Sequence, residues 1–365
     1  MSLRTAAALL IAASLLGACG EKEPLRIGFI GELSGTSADL GESGRNGAML
    51  AVERINEKGG INGRRIELLI RDTGSNADSA RRAAGELLQS NVLAVVGPMT
   101  SGITDAILPQ YDSARTVLIS PTASAVKLFG RDDYLFRINW TTRDNAILYA
   151  RHCLAKGYKR VSAATNLNNR LFSESWIQEF KHAFELSGGS VVGISPFDSG
   201  AESLQPVIDD MLGAKPDLLL FVANAGDSAR LAQQARKVNA GIPLMAAEWA
   251  GTDQLIELGG KAVEGLGLLQ QFDITDQSER FVDFRERFAR RYGREPAFAS
   301  VLAHDAVTVL ADTLKRNDGR RPLKAALVEQ GPFQGLQETI RFDANGDTRR
   351  QARFATIRDG RYTHE

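Results

Sequence analysis

Short apolar runs alternate with amphipathic helical patterns along most of this chain, and that alternation limits the fold more than any other feature. The runs "LRIGFIG", "RRIELLIRD", "VLAVVG" and "TVLIS" read as strands. Being apolar with little polar alternation, they suit a parallel sheet covered by helices on both faces. Between them, "SGRNGAMLAVERINEKGG" puts Ala48, Ala51, Val52 and Ile55 at helical spacing, and Gly59 and Gly60 stop it. "NADSARRAAGELLQS" repeats the pattern with Ala80, Ala84, Leu87 and Leu88, and a further helix starts behind Thr100 and Ser101. After a connection at "INWTTRD" the pattern restarts, with strands "RVSAAT", "SVVGI", "DLLLFV" and "PLMAA" separated by helices. Two open α/β layers follow. The chain ends in two helices, "SERFVDFRERFARRYG" and "SVLAHDAVTVLADTLKR", and a β-rich tail.

The N-terminus is not part of that pattern. Arg4 precedes the apolar run "TAAALLIAASLL", and "LGAC" sets small residues before Cys19. This is the layout of a lipoprotein signal peptide over residues 1–18. Cys19 is then the lipidation site, and residues 19–23 form an anchor and polar tether. The remaining 345 or so residues exceed the usual size of a single core, so two domains are expected. A formal net charge of zero leaves no basic excess for nucleic acid. With Cys19 committed, Cys153 is the one cysteine left, and it builds neither a disulfide framework nor a thiolate metal site. The four histidines show no metal-ligand spacing. No metal, cofactor or enzymatic activity is expected.

The first strand runs into "GELSG", which invites a phosphate-binding reading. Its glycines, Gly28, Gly31 and Gly35, have the wrong spacing for a dinucleotide fingerprint, and no P-loop occurs. In open parallel sheets, ligands sit beyond the carboxyl ends of strands. Those ends carry Thr100-Ser101, Thr122-Ala123-Ser124, "NLNNRLF", Asn224 and Glu248-Trp249. Hydroxyls and amides at helix starts suit an anion. A lone carboxylate suits a cation. Together they would accept a zwitterion, although the hydroxyls could equally be helix caps and Glu248 a solvated acid.

"IGFIGELSGTSADLGESGRNGAMLAVERINEKGGINGRRIELLIRDTGSN" is similar to the opening of the periplasmic branched-chain amino-acid binding proteins, the Leu/Ile/Val-type receptors of ABC transporters. "VGPMTSG", "LISPTAS", "YLFRINW" and "YGREPAFASVLAHDAV" follow in that family's order, over roughly residues 25–350. The resemblance implies a type I periplasmic binding fold, with two doubly wound lobes on a three-strand hinge. Lobe one would hold 24–141 and 273–336, and lobe two 142–272 and 337–365. It implies that Ser101, Thr122, Ala123 and Ser124 bind a ligand carboxylate and part of its ammonium, with Glu248 as counter-ion. Leu40, Phe172, Asn224 and His304 would stand where relatives place pocket aromatics. The implied function is capture of an apolar or aromatic amino acid outside the cytoplasm, in the periplasm or at the cell surface. A lipid-anchored monomer would deliver it to permease and ATPase subunits. A sensory receptor of the same fold, or a binder of amine-free organic acids, remains open at this point.

Overall fold

The computed structural model describes residues 22–365 except 318 and 320, so Cys19 and the signal peptide lie outside the described residues. The apolar runs form strands β1 (Leu25–Gly31), β2 (Ile66–Asp72), β3 (Ala94–Val96), β4 (Val117–Ser120) and β5 (Leu135–Arg137). They make one all-parallel sheet in the order β2-β1-β3-β4-β5. Ile27, Phe29 and Ile30 of β1 are fully buried, as a strand covered on both faces requires. Strand order reverses between β1 and β3, which opens a crevice at their carboxyl ends.

A second sheet repeats the plan with β6 (Arg160–Asn166), β7 (Ser190–Phe197), β8 (Leu218–Val222), β9 (Leu244–Ala246) and β10 (Gly267–Gln270). The tail adds β13 (Arg353–Arg358) and β14 (Arg361–His364), both antiparallel to their neighbours. The sheet order is β14-β13-β10-β9-β8-β6-β7. A two-stranded ribbon, β11 (Phe333–Gln334) with β12 (Thr339–Ile340), stands apart.

The helices of the first half are α1 (Ala38–Glu57), α2 (Ala77–Gln89) and α3 (Ser101–Ala114). Those of the second are α4 (Thr142–Ala155), α5 (Arg170–Leu186), α6 (Gln205–Gly213), α7 (Ala225–Val238) and α8 (Asp253–Gly259). The chain then forms α9 (Glu279–Tyr292), α10 (Phe298–Arg316) and α11 (Leu323–Glu329). Helix α10 returns to pack along α1, beside the first sheet.

Helix α1 starts earlier than the sequence pattern indicates, at Ala38, so Leu40 sits in its first turn rather than in a loop. The glycines of α1 serve close approach. A Cβ on Gly41 would lie 2.0 Å from the Glu32 carbonyl oxygen, and one on Gly47 2.0 Å from that of Ser300.

The tail also departs from the boundary set at residue 337. Gly346 accepts the Arg137 amide proton at 3.0 Å, and the Phe342 ring meets Phe136 edge-on at 5.0 Å. Arg137 has no exposure and pairs with Asp347. Such a buried guanidinium needs a nearby charge, so residues 342–347 stay on the first sheet and the tail crosses afterwards.

Candidate ligand-binding site

The carboxyl ends of the two sheets face each other across a nearly filled cavity of about 20 Å³. The first sheet's side supplies Leu40, Met99, Thr100, Ser101, Thr122 and Ser124. Asn169, Phe172, Glu248 and Trp249 stand opposite, and Asn139 and Phe298 complete the wall.

The floor is a set of hydroxyls locked by backbone amides. Ser101 opens α3, and its Oγ accepts from the amides of Ser124 (3.1 Å) and Ala125 (3.2 Å). Ser124 N–H is therefore engaged by Ser101, whereas the resemblance reserves it for a ligand. Thr122 Oγ1 donates to the Met99 carbonyl at 2.5 Å, and the Thr122 carbonyl accepts from Asn139 Nδ2 at 2.9 Å. Thr100 occupies the N-cap position of α3 but does not cap it. Its hydroxyl donates instead to Glu32 Oε1 at 2.6 Å.

Glu32 is fully buried under this floor and also accepts from the amides of Met99 and Thr100, both at 3.1 Å. Burial raises its pKa, against the pull of the Thr100 and Met99 hydrogen bonds. No pattern in the sequence distinguishes Glu32 from a loop acid.

Opposite, Glu248 begins a short 3-10 turn after β9 and is 4 % exposed. Its two oxygens accept from Asn145 Nδ2 (2.8 Å) and Trp176 Nε1 (2.9 Å). It is therefore no solvated acid. Burial raises its pKa, opposed by the Trp176 and Asn145 hydrogen bonds. Neither neighbour brings a positive charge. Asn145 Oδ1 and Trp249 Nε1 are buried without partners among the described residues, leaving an acceptor beside Glu248 and a donor on a wall residue. Phe172 and Trp249 form an apolar part of the wall, edge-to-face at 5.4 Å.

Six of the sequence candidates line this cavity: Leu40, Ser101, Thr122, Ser124, Phe172 and Glu248. Ala123 lies behind it, its amide donating to Ser120 Oγ at 3.2 Å. Asn224 does not reach it. As the N-cap of α7, its side chain accepts from the Asp227 amide at 2.8 Å and donates to Asp227 Oδ2 at 2.9 Å. His304 also falls elsewhere, against Phe284 beside the first sheet. Sequence reasoning missed Met99, Asn139, Asn169 and Phe298. Asn169 carried a usable signal, since "NLNNRLF" is a polar run at the carboxyl end of β6. Phe298 carried none, because it reads as one more apolar residue of α10.

Residues 24–361 match the family described as periplasmic binding protein. The chain is 25% identical over 332 residues to a leucine-, isoleucine-, valine-, threonine- and alanine-binding protein of Pseudomonas aeruginosa, covering 89% of this chain and 87% of the relative. Its fold is similar to the branched-chain amino acid transporter substrate binding protein of Streptococcus pneumoniae in complex with isoleucine. The TM-score there is 0.87 at 26% identity, over 94% of this chain and 99% of that one. A leucine binding protein of Thermotoga maritima superposes with a TM-score of 0.85 at 24% identity, over 93% and 97% of the two chains.

Proposed function

The chain belongs to the periplasmic binding protein family, and from that premise we propose that it captures a small apolar amino acid between two lobes for delivery to an ABC transporter. The observation that carries the reading is Glu248, a buried carboxylate held by two neutral donors at the mouth of a partly apolar cavity. A ligand ammonium supplies the missing positive charge, and Asn145 Oδ1 offers it a second acceptor. The hydroxyl of Ser124 and the N-terminal turn of α3 face the ligand carboxylate. Leu40, Phe172, Trp249 and Phe298 enclose its side chain, and the tightness of the closed cavity favours an aliphatic over a large aromatic one. Thr122 lines the cavity beside them, whereas Ala123 and Asn224 shape the surrounding backbone rather than touch the ligand.

In this reading one lobe is built on the first sheet, with α9 to α11 and residues 342–347, and the other on the second sheet. Closure by hinge bending desolvates the ligand charges. The protein works outside the cytoplasm, as its family does, and Cys19 anchors it to a membrane through acyl chains. The permease and ATPase belong to other subunits, and the binding protein acts as a monomer.

Calorimetry on the purified protein tests the ligand class. Leucine, isoleucine or valine should bind, and 4-methylpentanoate, which lacks the amine, should bind far more weakly. Preference for the amine-free acid would overturn the reading. Cell fractionation tests the anchor: Cys19→Ser should move the protein from the membrane to the soluble fraction, because acyl chains hold a protein at about 0.8 kcal/mol per buried CH₂. Retention in the membrane would refute it.

A further inference from the structure

Beside the first sheet, α1, α9, α10 and the β11 strand surround a second cavity of about 240 Å³, away from the cleft. Its floor is apolar, formed by Leu50, Ile55, Phe284 and Leu336. His304 is set into that floor, 7 % exposed, with its ring edge-on to Phe284 at 4.9 Å. Burial, with the Arg54 charge adding to it, pushes the imidazole down to about 3. The ring is therefore neutral at physiological pH.

Its tautomer follows from the hydrogen bonds. The Thr308 hydroxyl donates to the His304 carbonyl at 2.9 Å. With that proton committed, Thr308 Oγ1 faces Nδ1, 3.4 Å away, as an acceptor. Nδ1 then carries the hydrogen and Nε2 the lone pair. Among the described residues nothing hydrogen-bonds to Nε2. His304 lines the cavity and Nε2 is not fully enclosed, so a donor entering the cavity can reach it.

The mouth of the cavity is cationic. Arg54 and Arg287 are engaged by Asp283, and Arg287 also by Glu57 at 3.2 Å. Lys58 and Arg280, both exposed at the rim, form no ion pair among the described residues. An ammonium ligand would be repelled there, and a simple carboxylate has no proton for Nε2. A hydroxyl meets the histidine without adding positive charge.

We propose that this cavity is a second binding site, for a small organic acid with an apolar body and a hydroxyl group, of the hydroxyaromatic acid class. The hydroxyl donates to His304 Nε2, the body lies on Phe284 and Leu50, and the carboxylate meets Lys58 and Arg280.

The test is calorimetry on the full chain with 4-hydroxybenzoate, benzoate and phenol. 4-Hydroxybenzoate should bind about tenfold more tightly than benzoate, as expected for one well-placed hydrogen bond. His304→Phe should remove that preference. Arg280→Gln, an exposed substitution that leaves the core intact, should weaken both acids and leave phenol unchanged. Ser101→Ala, in the cleft, should change none of the three. Absence of 4-hydroxybenzoate binding, its loss in Ser101→Ala, or an unchanged preference in His304→Phe would each overturn the proposal. If His304→Phe does not fold, Arg280→Gln decides: equal binding to wild type refutes the site.

Discussion

The Gly102 amide donates its proton across the cleft to Asn169 Oδ1, 3.1 Å away. Gly102 lies in the first turn of α3, above the first sheet, and Asn169 precedes α5, above the second. Asn169 stands at the N-cap position of α5 without capping it, so its side chain is free for this bridge. A second bridge runs from Thr252 Oγ1 to Asp39 Oδ2 at 2.8 Å. The two sheets are thus tied together on either side of the cavity, and the structure is that of a closed cleft.

Asn169→Ala removes the acceptor and leaves the Gly102 amide to water. Affinity for the cleft ligand should fall about two- to tenfold, the range for one net hydrogen bond. Small-angle scattering should show a larger radius of gyration for the unliganded variant. If neither quantity moves, the bridge contributes nothing to closure.

Ser101→Ala deletes the oxygen that two amides share, those of Ser124 and Ala125. Buried N–H groups left without an acceptor cost about 1–3 kcal/mol. The melting temperature should therefore drop along with ligand affinity, because the segment carrying Ser124 loses its anchor. Ser101→Thr keeps the hydroxyl and should restore both. Thermal melts and titrations on the two variants separate this from a simple cap, whose loss costs about 1 kcal/mol and leaves binding intact.

Glu32→Gln tests the support beneath the floor. The carboxylate accepts three hydrogen bonds, from Met99 N, Thr100 N and Thr100 Oγ1. An amide in its place turns one of two accepting atoms into a donor facing donors. Stability should fall by about 1–3 kcal/mol, and ligand affinity with it, although Glu32 does not line the cavity. Wild-type affinity in a folded variant would show that the floor keeps its shape unaided.

The central strands β1, β3, β4, β8 and β9 were legible because both their faces are buried, so their residues are nearly all apolar and bounded by turns. The start of α1 was not, since Gly41 reads as loop punctuation ahead of the helical glycines Gly44 and Gly47. All three are where the helix touches Glu32, Met99 and Ser300. Strand ends pointed to Ser101, Thr122, Ser124 and Glu248, which line the cavity, because the crevice position follows from topology alone. They misplaced Asn224, as a strand end does not tell which way a side chain turns. Asn169 and Glu32 escaped notice because their partners, Gly102 and Met99–Thr100, are far away in sequence and near only in space.

Glu248 ties the ligand class to a pH dependence. Its surroundings donate through Asn145 and Trp176 but supply no cation, and Tyr149, which feels the Glu248 charge, is itself held neutral by burial. Without ligand, the folded state therefore holds the Glu248 proton more tightly than the unfolded chain does. The sign follows from linkage: this stability is present below the ordinary carboxylate value and is lost as pH rises through the raised one. An ammonium ligand reverses the order, because it is bound best by the ionised form. Binding should then release protons in mildly acidic solution, and the ligand-induced rise in melting temperature should grow as pH increases through that window. Calorimetry in two buffers of different ionisation enthalpy reads the proton count directly. Glu248→Gln removes both the titration and the counter-charge. It should abolish proton release and weaken an amino-acid ligand by about 3–5 kcal/mol, the cost of a buried ion left unpaired. Binding of the amine-free analogue should hardly change. Equal proton release in wild type and variant, or equal loss for both ligands, would show that Glu248 serves packing and not the ammonium.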